Sequence, residues 1–247
     1  MSRTHPTRWL TAALAMLLAA GAARAANPAD PPPERWTKQV EAYEKRDAAH
    51  PPTDVAVVFA GSSSIRMWPD LADAFKPRPV LGRGIGGSHV SDQIYWAGRL
   101  VLRYKPSQIV FYAGDNDVAA GKKAERVLAD FKRFVAKVRK ALPKVWIHFL
   151  TIKPSPRREK VWPEMARANR LVADYTATDP RLTTIDGATP MLDDAGRPRR
   201  DIFLKDMLHM NRKGYALWVP LVTKALERAS QGAAQKPGAP AGGTGQK

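Results

Sequence analysis

Five apolar runs punctuate this chain, and they constrain its fold more than any other feature: Val55–Ala60, Pro79–Leu81, Gln108–Ala113, Val145–Thr151 and Leu182–Ile185. Each is continuous rather than alternating, the pattern of a strand covered on both faces in a parallel sheet. Helical segments separate them. Ala124–Leu142 carries Val127, Leu128, Phe131, Phe134, Val135 and Val138 as a stripe of 3.6-residue period. Ser91–Leu102 carries Ile94, Tyr95, Gly98 and Val101 on one side, and Pro163–Ala177 and Lys213–Ala229 complete the set. Glu34–Ala49 spaces Trp36, Val40 and Tyr43 as a helix does and stops at Pro51-Pro52. Strand and helix in alternation predict an α/β sandwich with right-handed crossovers.

The flanks read differently. Arg3 and Arg8 precede an uncharged Leu/Ala-rich stretch from Trp9 to Ala23, and Ala23-Arg24-Ala25 is a small-x-small cleavage site. This is the layout of a secretory signal peptide, so we expect export to the periplasm or beyond with cleavage near Ala25. The apolar stretch is shorter than a spanning helix needs. The expected organisation is a signal peptide over 1–25, a lead-in and helix over 26–53, one domain over 54–230 and a disordered tail over 231–247.

There is no cysteine, which excludes a thiol nucleophile, a Cys-ligated metal site and a lipid anchor on Cys. The formal net charge is +17, and residues 1–25 account for three of those charges. The basic residues are scattered, without zinc-finger spacing, RNP aromatics or a basic helix, so no specific nucleic acid is expected. Loose association with anionic envelope surfaces is open, as is a merely solvated basic surface. The sequence does not fix an oligomeric state.

In an open parallel sheet, ligands bind beyond the carboxyl ends of the strands. The first such loop reads Gly61-Ser62-Ser63-Ser64. A Ser hydroxyl opening a helix there can attack a carbonyl while free N–H groups receive the oxyanion. A plain Ser-rich turn is the alternative, and the Gly-x-Ser-x-Gly elbow is not matched. The second loop, Gly82 to Ser88, fits the dinucleotide glycine spacing by letter. It does not follow the first strand and lacks the acid about 20 residues on, so nicotinamide binding is discounted. The third, Gly114-Asp115-Asn116-Asp117, offers an amide donor or an Asx turn. After the fifth strand, Asp206-Met207-Leu208-His209 can set a base beside its orienting carboxylate. Of the other histidines beyond the expected signal peptide, His148 lies in a strand, His50 in a Pro-rich turn, and His89 is the one rival.

Taken in this order, the four loops resemble the blocks of the SGNH/GDSL hydrolase superfamily. The resemblance spans residues 59–211. It implies a flavodoxin-like three-layer α/β/α sandwich around a five-stranded parallel sheet. It also implies Ser63 as nucleophile, Asp206 and His209 as its partners, and an oxyanion hole from Ser63, Gly87 and Asn116. The chain departs from the family in one place: Ser62 stands where the Gly-Asp-Ser block carries Asp, and Ser62 and Ser64 flank the candidate nucleophile. The implied activity is hydrolysis of carboxylic esters, on a small molecule, a lipid or an acylated glycan, with no metal or organic cofactor. Arg66, Asp115 and Met207 are candidate substrate contacts. A glycan O-deacetylase or acyltransferase using the same site, or an inactive cationic envelope-binding protein, are the competing expectations.

Overall fold

The computed structural model describes residues 27–234. The expected signal peptide and tail residues 235–247 lie outside them.

The elements run α1 (Thr37–Ala49), β1 (Val57–Gly61), α2 (Ser63–Arg66), α3 (Leu71–Ala74), β2 (Val80–Gly84), α4 (Val90–Leu100) and β3 (Gln108–Tyr112). They continue with α5 (Asp115–Ala119), α6 (Ala124–Ala141), β4 (Trp146–Leu150), α7 (Trp162–Thr176), β5 (Leu182–Ile185) and α8 (Arg212–Ala234). All five strands pair in parallel, in the order β2-β1-β3-β4-β5. Each expected strand is present, and the sandwich is the flavodoxin-like architecture that the resemblance implies.

Side chains alternate across a strand, so the continuous apolar runs feed two cores. Val58, Ala60, Ile109, Phe111, Ile147 and Phe149 face α1, α4, α6 and α7. Val57, Phe59, Val110, Tyr112, Leu150 and Ile185 face α2, α3 and α8, where Trp218 is fully buried. The α6 stripe packs as its period demands, with Val127, Phe131, Phe134 and Val138 at 0 % exposure.

Four expectations are corrected. α4 buries Gln93, Trp96, Ala97 and Leu100, while Tyr95 is 49 % exposed. The polar residues turn the helix. Gln93 Nε2 donates to the Gly61 carbonyl at 2.9 Å, and Asp92 accepts the His89 N–H at 2.7 Å, so this face must point inward. The second strand extends through Gly84, because the parallel register of β1 with β2 continues to Gly61↔Gly84. Arg83 is therefore a buried strand residue paired with Asp47 at 2.5 Å, and not part of a loop. Residues 231–234 continue α8, whose Ser230 hydroxyl takes a bond from Gln108 Nε2 at 3.1 Å. Lastly, α1 is integral to the domain, since Val40 and Tyr43 belong to the first core.

Candidate active site

The strand order reverses between β1 and β3, and the four loops meet at the carboxyl ends of the sheet. Gly61 makes the first turn possible. It has φ of +149°, and a Cβ there would sit 1.9 Å from the Tyr112 carbonyl oxygen. Only glycine lets β1 and β3 approach so closely while the chain swings into α2.

That swing sorts the three serines. Ser62 is fully buried and its Oγ lies 3.4 Å from Asp115 Oδ1. Ser64 is buried too, with its carbonyl bonded to the Tyr215 hydroxyl at 3.0 Å. Ser63 alone reaches the histidine, with Oγ 3.0 Å from His209 Nε2.

The His209 loop is a small hairpin. Phe203 and Met210 form an antiparallel bridge, and Met207 takes a left-handed φ of +55° at its tip. The Asp206 carboxylate serves both backbone and ring. Its Oδ1 accepts the Leu208 and His209 N–H groups at 3.0 Å each, and its Oδ2 lies 2.6 Å from His209 Nδ1. Partial burial pushes this carboxyl up, but the His209 and Leu208 donors outweigh it and bring it down to about 2. An ionised carboxylate at Nδ1 holds the proton there and leaves the Nε2 lone pair facing Ser63.

Hydrogen-bond donors converge beside Ser63. The Ser63 and Gly87 N–H groups have no acceptor among the described residues. Gly87 has φ of +79°, a conformation that glycine adopts at low cost. Asn116 gives one Nδ2 hydrogen to the Ser88 carbonyl at 3.0 Å, and its Oδ1 accepts Arg158 Nη2 at 2.7 Å. The amide orientation is thereby set, with the second Nδ2 hydrogen free. Ser63, Gly87, Asn116 and His209 all line one cleft of about 740 Å³.

The candidate substrate contacts divide. Arg66 is on the cleft wall. Asp115 is not: it is 2 % exposed, with Arg158 at 3.0 Å and Lys153 at 3.4 Å. Burial raises its carboxyl, yet Lys153 and Arg158 hold it below the ordinary range, so it is a buried anion behind the wall. It supports the Asn116 N–H, which donates to Oδ1 at 3.0 Å. Met207 turns out of the cleft at the hairpin tip, and Leu208 lines it instead. The rival His89 is buried as the N-cap of α4, and burial with the nearby Lys122 charge lowers it to about 4.

Lys153 and Arg158 follow β4, a loop that the same carboxyl-end rule marks although it holds no recognisable block. Gln39, Tyr43 and Arg46, on α1, also line the cleft, and no sequence spacing links them to it.

A family profile for GDSL-like lipases and acylhydrolases matches residues 60–217. The chain belongs to the GDSL-like Lipase/Acylhydrolase family. The match begins at the end of β1 and runs into α8, enclosing every loop described above. Among GDSL-like folds, a GDSL-like lipase of Bacteroides thetaiotaomicron superposes with a TM-score of 0.64 at 22% identity, covering 77% of this chain and 98% of that one. A Streptococcus pneumonia protein named after platelet activating factor gives 0.69 at 16%, covering 78% and 93%. A carbohydrate esterase family 3 protein of Talaromyces cellulolyticus gives 0.58 at 19%, covering 72% and 99%. At these identities the likeness is one of fold. No curated protein sequence matches the chain significantly.

Proposed function

We propose that this protein is an exported carboxylic-ester hydrolase that uses Ser63, His209 and Asp206 as a catalytic triad. One observation carries the reading. A single serine hydroxyl stands 3.0 Å from an imidazole whose far nitrogen is 2.6 Å from a carboxylate, beside two unspent backbone N–H groups.

His209 Nε2 takes the Ser63 proton as Oγ bonds to the ester carbonyl carbon. The Ser63 and Gly87 N–H groups and the free Asn116 hydrogen receive the oxyanion. Collapse breaks the bond to the alcohol oxygen, and the Nε2 proton goes to that oxygen. Water then attacks the acyl-Ser63 ester with His209 again as base, releasing the acid and restoring the hydroxyl. Asp206 stays ionised throughout and supports the imidazolium.

The signal-peptide layout of residues 1–25 supports export. A name among the similar folds, carbohydrate esterase, makes acylated glycans reasonable substrates beside simple esters and lipids. The test is a pair of variants assayed on a short 4-nitrophenyl ester and with a fluorophosphonate probe. S63A should lose both turnover and labelling, while S62A keeps labelling. Wild-type turnover in S63A, or loss confined to S62A, overturns the assignment. An unlabelled, inactive wild-type protein would favour a binding role.

A further inference from the structure

The cleft beside Ser63 has no acidic residue on its wall, yet Arg46, Arg66 and Arg158 all line it. Their charges are not equivalent. Arg158 has a carboxylate partner, Asp115, at 3.0 Å. Arg83, which packs on Tyr43 just behind the wall, is balanced by Asp47 at 2.5 Å. Arg46 and Arg66 have no carboxylate partner among the described residues.

Both are held in place. The Arg46 guanidinium lies over the Tyr43 ring, 4.6 Å from its centroid. The Tyr43 hydroxyl is itself fixed by the Gly84 carbonyl at 2.7 Å. Arg66 crosses the Gly86 backbone so closely that a Cβ there would lie 2.7 Å from its Nε. Gly86 is in turn pinned by Gln39, whose Oε1 accepts its N–H at 3.1 Å. The Arg46 and Arg66 charges both act on the Tyr43 phenol, whose titration burial raises and these cations pull back. Two like charges thus line the same cleft, and neither has a carboxylate partner among the described residues. Guanidinium groups in such a position match the oxygens of a carboxylate or phosphate.

We infer that Arg46 and Arg66 form an anion subsite, and that the substrate is an ester bearing a carboxylate or phosphate group. The inference rests on the proposed ester hydrolysis and narrows it. The wall lies within the same cleft as Ser63, so one molecule can present its carbonyl to the serine and its anion to Arg46 and Arg66. The wall is open to water, so the attraction should be sensitive to salt.

The test uses matched esters. On the acyl side, mono-4-nitrophenyl succinate is compared with 4-nitrophenyl butyrate. On the alcohol side, 4-acetoxybenzoate and 4-acetoxyphenyl phosphate are compared with 4-carbamoylphenyl acetate. In at least one pair the wild-type protein should favour the anion by tenfold or more in kcat/KM, chiefly through KM. That preference should shrink in 0.5 M sodium chloride, collapse to threefold or less in R46Q/R66Q, and persist in R46K/R66K. The carboxylate and phosphate arms show which group is preferred. Equal or inverse preference in every pair, or a preference that survives R46Q/R66Q, overturns the subsite. A second readout needs no turnover: calorimetric binding of 4-acetoxybenzoate to S63A protein should weaken at least tenfold when R46Q/R66Q is added. Unchanged binding also overturns the subsite. Inactivity of the wild type on every ester, with this binding intact, would instead overturn the hydrolase reading.

Discussion

Replacing Asp206 by Asn tests the site most sharply, because the structure dictates which way the new amide must face. Oδ1 already accepts two backbone N–H groups, from Leu208 and His209, at 3.0 Å. An Asn amide nitrogen placed there would oppose two donors with a third. The amide oxygen must keep that position, so the NH2 group faces His209 Nδ1. Nδ1 must then accept, the ring proton moves to Nε2, and Ser63 loses its base. In a serine-protease triad the equivalent exchange lowers kcat by about 10⁴ through the wrong tautomer, or about 5 kcal/mol of barrier. We expect a loss of that order in kcat for D206N, with KM little changed and the circular dichroism spectrum intact. The wild-type carboxyl is depressed to about 2, so it remains ionised at every pH from 4 upward, and the comparison is of a carboxylate with a neutral amide throughout that range. The assay is initial-rate hydrolysis of 4-nitrophenyl butyrate, with ¹⁵N NMR of His209 reading the tautomer. A D206N protein within tenfold of wild-type kcat, or one whose imidazole keeps its proton on Nδ1, refutes the reasoning.

Other outcomes follow from the same coordinates. N116A removes one oxyanion donor and should lower kcat by about 10²–10³ with a smaller effect on KM. His148 is fully buried between Thr183 Oγ1 at 2.6 Å and Gln108 Oε1 at 3.0 Å, and burial lowers it to about 4. Its folded pKa is below the unfolded one, so stability is whole above about pH 6.5 and falls as pH drops through about 4, by an order of 3 kcal/mol. Urea midpoints measured from pH 7 to pH 4.5 should therefore decline, and H148Q should flatten that decline. W218A empties a fully buried position whose Nε1 donates to the Gly187 carbonyl at 2.9 Å, and should cost about 3–5 kcal/mol in urea unfolding.

The amino-acid order alone determined the sheet and marked the candidate residues at its rim. Continuous apolar runs can be satisfied only between two helical layers, and the α6 stripe can face only one way, so strands and core follow from local pattern. The serine and the glycine and asparagine loops were legible because each is a short motif at the end of a strand, and the Asp-x-x-His pair because its two members stand together just before the last helix. What only the tertiary structure decided are contacts between residues far apart in the chain. Ser62, Ser63 and Ser64 are equivalent as letters, and the turn at Gly61 sends one to His209 and the others inward. Asp115 reads as a candidate substrate contact, but Arg158 and Lys153, from the loop after β4, meet it in the interior. Arg46 belongs to a helix before the first strand, and it reaches the cleft only because α1 packs across the sheet. Hydrophobic period is a property of neighbours along the chain. Charge balance in a cleft belongs to whichever segments the fold brings together, and no local spacing records it.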